Sequence, residues 1–164
     1  MNDEKGQLSG EYMLLVGSLI VVLMISIFMI ANENELNIAM AAAKSGADEG
    51  VASSSSAIYP KETFNEYDDM EGLKHPYSVS IVNVSYNSSG IDENYGKQKI
   101  QFKVYAKASV DYNKKELDSI GDRINYNLRK SVAMSFNTTD STNKLYNPIF
   151  SNNHVFTTAN VVWV

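Results

Sequence analysis

Glu11 is the residue whose type and position most call for a chemical role. It is a carboxylate placed just before an uncharged run, Met13–Ala31, that only Gly17, Ser18 and Ser26 interrupt with anything but aliphatic, methionine, phenylalanine or alanine side chains. A plain membrane segment gains nothing from a charge at that lip. A subunit that docks against copies of itself does, because the carboxylate can be paired in one register and is left buried and alone in any other. The remaining chemistry-bearing residues are scattered. The chain has no cysteine and two histidines, His75 beside Pro76 in a loop and His154 at the start of a strand. No nucleophile elbow, phosphate-binding loop or zinc-protease helix spacing occurs. Asp68, Asp69 and Glu71 cluster, but without the spacing of a calcium loop, and read as a solvated acidic turn. No catalytic residue, metal site or cofactor is expected, and the chain does not read as an enzyme.

The element that must position Glu11 is the apolar run itself. Its 19 residues would span roughly 28 Å as a helix, close to the hydrocarbon thickness of a bilayer. That is too long and too uniformly apolar for a buried helix of a small domain. The residues before it do not suit a secretory signal peptide, which has a basic start and small residues after its apolar core. Here Asp3 and Glu4 outweigh Lys5, and Asn32-Glu33-Asn34-Glu35 follows the run. The run is therefore expected to be retained, either as a single-pass anchor or as an assembly helix.

The block Gln7-Leu8-Ser9-Gly10-Glu11-Tyr12 resembles the Q-x-S-x-E-Y block of archaeal class III signal peptides, found in type IV pilin-like proteins of methanogens. All four defining positions match, Gln7, Ser9, Glu11 and Tyr12, and the block directly precedes the apolar run. The resemblance covers the leader and the apolar helix, about the first fifth of the chain. It implies cutting between Gly6 and Gln7 by a membrane prepilin peptidase, so that residues 1–6 form a cleaved leader. It further implies that the apolar helix is held first in the membrane and then in the core of a pilus, with other pilin subunits and the assembly machinery as partners. The C-terminal bulk carries no motif of this family.

Cutting after Gly6 would create an amine at Gln7, with a reference pKa of about 8 and so mostly positive at neutral pH. Glu11 lies one helical turn on. Subunits in a filament stack with an axial offset, so Glu11 of one copy can neutralise the Gln7 amine of the next. Cyclisation of Gln7 to pyroglutamate would remove that amine.

Composition bounds the rest. The formal net charge is −5, and no basic stripe argues for nucleic acid as a partner. The absence of cysteine fits a reducing or anaerobic habitat. A core must then hold the head together, and nine of the ten tyrosines and five of the six phenylalanines lie from residue 59 onward. Lys5 before the run, and Glu33, Glu35, Asp48 and Glu49 against Lys44 after it, place the C-terminal part outside the cell.

Along the chain, one long helix is expected over 7–56, with 13–31 as the membrane or filament-core segment. Leu36, Met40, Ala43, Ala47 and Val51 form a stripe, and Gly46 and Gly50, one turn apart, suit either a frayed end or close helix packing. Ser53–Ser56 reads as a break. An extracellular head over 57–164 follows. Residues 57–76 read as a loop, Tyr77–Tyr86 as a strand and Asn87–Gly96 as a turn region. Lys99–Tyr112 alternates strictly. Ile100, Phe102, Val104, Ala106, Ala108, Val110 and Tyr112 line one face, and Lys99, Gln101, Lys103, Tyr105, Lys107 and Ser109 the other. Asn113–Phe136 takes helical spacing through Leu117, Ile120, Ile124, Leu128 and Val132, with Asn113 and Glu116 placed for a capping box. Asn137–Asn153 is polar and loop-like, and His154–Val164 reads as a C-terminal strand. The order α-β-β-α-β gives an α+β fold, a small antiparallel-type sheet with a packed helix. A head starting near Val51 would then fold alone.

Three N-glycosylation sequons begin at Asn83, Asn87 and Asn137. Composition alone yields about 2.6, so their number carries no signal. Asn87 and Asn137, at expected element ends, suit modification better than Asn83 within a strand. The sequence thus points to a structural subunit, of minor-pilin type because its head is large. It would sit in the cell membrane before assembly and on the cell surface afterwards. The alternative is a membrane-anchored extracellular binding protein that shares the processing signal.

Overall fold

The computed structural model of the chain describes residues 3–52, 78–138 and 143–164, with side chains from residue 9 onward. The described part is α+β. Helix α1 spans Asp3–Ala52, strand β1 Val79–Asp92, β2 Lys97–Ala108, helix α2 Lys114–Ser135, β3 Ile149–Phe150, β4 His154–Thr158 and β5 Val162–Trp163. The chain divides into two compact units, Met1–Leu36 and Asn37–Val164. The expected break at Ser53–Ser56, the loop over 57–76, His75, the acidic cluster of Asp68, Asp69 and Glu71, and the start of the first strand at Tyr77 lie outside the described residues.

In the second unit, β1 and β2 form an antiparallel hairpin. Its turn is tighter than the polar run suggested. β1 continues through Asn87-Ser88-Ser89-Gly90 to Asp92, with a register shift between Ser88 and Ile91 absorbing the irregularity. Polar residues are tolerated there because β1 is an edge strand, hydrogen-bonded on one side among the described strands. The reversal itself is made by Asp92–Gly96. Gly96 N–H donates to Asp92 O at 2.8 Å, and Asn94 N–H to the Asp92 carboxylate at 3.0 Å.

The sheet is mixed and not of antiparallel type. β4 and β5 both lie parallel to β2 on the edge opposite β1, and β3 pairs antiparallel with β4. The reason lies in the connection. A parallel neighbour needs a crossover of a dozen residues or more, usually a helix, and α2 is that crossover. The expected single C-terminal strand is two short ones. Ala159 N–H still donates to Phe102 O at 2.8 Å, and Val164 N–H to Ala106 O at 2.9 Å, so the run His154–Val164 follows β2 through a short interruption.

The alternation along β2 does what its period predicts. Ile100, Phe102, Val104 and Ala106 are buried, while Lys103 and Lys107 face water. Val110 lies past the end of β2 and is exposed. Against the apolar face α2 lays Ile120, Ile124, Leu128 and Val132, all buried, and Phe156 of β4 stacks between Phe102 and Phe136 at centroid distances of 5.7 and 5.6 Å. Fully burying side chains of this size contributes about 1.5–3 kcal/mol each. The start of α2 is sealed by the expected capping box: Glu116 N–H donates to Asn113 Oδ1 and Asn113 N–H to the Glu116 carboxylate, each at 2.9 Å.

The final stretch of α1 belongs to this unit. Its buried residues are Ala39, Ala42, Ala43, Gly46, Ala47 and Gly50, whereas Leu36, Met40 and Val51 are half-buried. The seam is one of small residues because α1 comes very close to α2. A Cβ on Gly46 would sit 2.6 Å from Asn127 O and 2.8 Å from Leu128 Cα, and one on Gly50 would sit 2.9 Å from Ile124 Cα. Close packing, and not fraying, accounts for both glycines. A fragment beginning at Asn37 is therefore expected to unfold cooperatively, and one beginning at Val51 to be molten, because it strips the small-residue seam from α2. Near-ultraviolet circular dichroism and denaturant titration of the two fragments check this. Equal cooperativity would show that the seam is dispensable.

Candidate processing and assembly segment

In the first unit the apolar run is helical throughout and faces outward on all sides. Leu14, Leu15, Leu19, Ile20, Val21, Val22, Leu23, Met24, Ile25, Ile27, Phe28, Met29 and Ile30 are all exposed, so no face of the run is spared for water. A helix apolar all round is stable only where lipid or other apolar helices surround it. Its two serines do not spoil that surface. Ser18 Oγ donates to Leu15 O and Ser26 Oγ to Val22 O, each at 2.8 Å, so both hydroxyls are satisfied within the helix. The helix is long and apolar enough to cross a membrane.

The Gly6–Gln7 bond falls near the beginning of α1, where the first N–H groups lack intrahelical partners and where a glycine costs about 1 kcal/mol of helix stability against alanine. Local opening of the helix there is cheap compared with its middle. The side chain of Gln7 lies outside the described residues. Ser9, Glu11 and Tyr12 are exposed on the same helix. Glu11 is one turn beyond Gln7 in the helical backbone, as the spacing requires.

The three sequon asparagines are all exposed, but their placement differs from expectation. Asn87 is inside β1, opposite Gln101, and not at an element end. It became a strand residue because the wet face of an edge strand accepts asparagine. Asn83 is opposite Tyr105 on the same strand. Asn137 does follow the end of α2, with a φ of 54°; Thr139 of its sequon lies outside the described residues. His154 opens β4 as its sequence position suggested, and it is buried, its ring 5.6 Å from that of Phe156. It sits in the wall of the core.

Nothing in the sequence alone brings Asp118, Asp122 and Trp163 together, yet they line one groove beside α2. The readable half of that arrangement is the spacing of the two carboxylates, four apart on one helix face. The other half, the arrival of Trp163, depends on the crossover that returns the chain to β2. No protein-family model, curated protein or solved structure matches this chain.

Proposed function

We propose that this chain is a structural subunit, of minor type, of an archaeal type IV-like pilus. The observation that carries the reading is the outward-facing apolar helix with internally satisfied hydroxyls, headed by Glu11 in the Gln7–Tyr12 block. A prepilin peptidase cuts between Gly6 and Gln7. The helix is held in the membrane until the assembly machinery packs it against other pilin subunits, and the head is displayed outside. Apolar surface of this extent needs a helix bundle once it leaves lipid, and the Glu11–Gln7 amine pair sets the axial register within it.

The second reading is a membrane-anchored extracellular binding protein with the same processing signal, and the polar groove beside α2 is the observation in its favour. Copy number in sheared filaments separates the two. A structural subunit is recovered in the filament fraction, and a binding protein stays with the membranes. Peptide mass spectrometry of the native protein is expected to find a species starting at Gln7 or at its cyclised form. An intact Met1, or a mature start after Ala31, would overturn the processing on which both readings rest.

A further inference from the structure

The groove beside α2 has a volume of about 340 Å³, within the size range of small-ligand sites. Three facts define its chemistry. First, Asp118 and Asp122 lie on one face of α2 and line it together. Removal from water holds the Asp122 carboxyl above its ordinary range; Arg129 opposes that rise and the neighbouring Asp118 charge adds to it. Arg129 Nε donates to Leu145 O at 2.9 Å and its Nη1 to Thr158 Oγ1 at 2.7 Å.

Second, Asn125 in the groove wall is 6% exposed and has an acceptor to spare. Its Nδ2 donates to Ala159 O at 2.9 Å, which fixes the orientation of the amide, and its Oδ1 is buried without a partner. A buried acceptor left without a donor is destabilising, and a donor brought to it removes that cost. Third, an aromatic ring lies against the same floor. A Cβ on Gly121 would meet Val161 at 3.4 Å and Trp163 Cζ2 at 4.0 Å, so the missing side chain at Gly121 is what leaves the space between the carboxylates and the indole.

Among the described residues the lining is thus rich in acceptors, negative in sum and faced with indole, with Lys114 the one cationic side chain on it. We infer that this groove binds a primary ammonium group on a short alkyl chain: the carboxylates of Asp118 and Asp122 accept its N–H bonds, and Trp163 covers its alkyl part. Two carboxylates give charge-assisted hydrogen bonds, the strong kind, and the indole shields the alkyl part from water. Such a group comes either as a free aliphatic amine or as a lysine side chain of a second copy. The inference stands apart from the pilus reading, since it concerns the head alone and its failure leaves the processing and filament tests untouched.

Trp163 is the only tryptophan in the chain, so its fluorescence reports directly on the groove. The test uses the full chain in non-ionic detergent, titrated with n-butylammonium chloride against n-butanol, sodium chloride and calcium chloride. The expected result is a saturable change in Trp163 emission with butylammonium only, weakened about tenfold or more in the double variant Asp118→Asn/Asp122→Asn, the scale of losing charge-assisted partners. A change that depends on protein concentration before any amine is added, and disappears in the double variant, identifies the lysine of a second copy as the source. A concentration-independent baseline identifies a free amine. An equal response to sodium chloride reduces the effect to screening and overturns the proposal, as does a response to butanol or to calcium in place of butylammonium. An undiminished response in the double variant, with its circular dichroism unchanged, also overturns it.

Discussion

Glu11→Gln is expected to leave synthesis and membrane insertion intact and to lower the abundance of the chain in sheared filaments by at least about tenfold. Breaking a buried ion pair by removing one partner costs about 3–5 kcal/mol, and the neutral glutamine recovers part of it by leaving no carboxylate behind. Even about 1.4 kcal/mol of that loss is tenfold in an association constant. Position decides the effect more than polarity. Glu33, just past the apolar run and exposed on the same helix, should tolerate the same change. Cleavage and filament abundance are compared for both variants. Normal incorporation of Glu11→Gln removes the assembly role, and failed cleavage assigns Glu11 to peptidase recognition instead. A chemically blocked Gln7 in native filaments counts against the amine pairing even if the variant is defective.

The second large effect is expected at Gly46. An alanine there places its Cβ 2.6 Å from Asn127 O, 2.7 Å from Ser131 Cβ and 2.8 Å from Leu128 Cα. Two of these three atoms are backbone, so relief requires the helices to separate. Overpacking of this kind costs about 1–3 kcal/mol and outweighs the roughly 1 kcal/mol that alanine gains over glycine in helix propensity. Gly46→Ala should therefore destabilise the head by about 1–2 kcal/mol, and Gly46→Val by more. Gly121→Ala is the control. Its nearest neighbours are side-chain atoms of Val161 and Trp163, at 3.4 Å and beyond, and it keeps the propensity gain, so it should be neutral or stabilising. Denaturant unfolding of the full chain in detergent, followed by Trp163 fluorescence, measures both. A Gly46→Ala chain as stable as the parent would show that α1 and α2 are not held at this distance.

Much of this protein is determined by local pattern. A two-residue period can bury only one face of a strand, so the core residues of β2 follow from Lys99–Tyr112 alone. A stripe at three and four residues can bury only one face of a helix, so Ile120, Ile124, Leu128 and Val132 follow in the same way, and the Asn113–Glu116 box needs no partner outside its own turn. The apolar run and the carboxylate at its lip are likewise complete in one stretch of chain. The features decided only in three dimensions are those that depend on where distant segments meet. The parallel pairing of β4 and β5 with β2 comes from the crossover through α2, which a reading strand by strand does not weigh. The burial of Ala39, Ala42 and Gly46 in place of the larger Leu36, Met40 and Val51 comes from how closely α1 approaches α2; hydrophobic periodicity ranks side chains by apolarity and is blind to that distance. The groove that joins Asp118 and Asp122 to Trp163 combines both: a helix spacing visible in the sequence, and a strand end that only the folded sheet brings within reach.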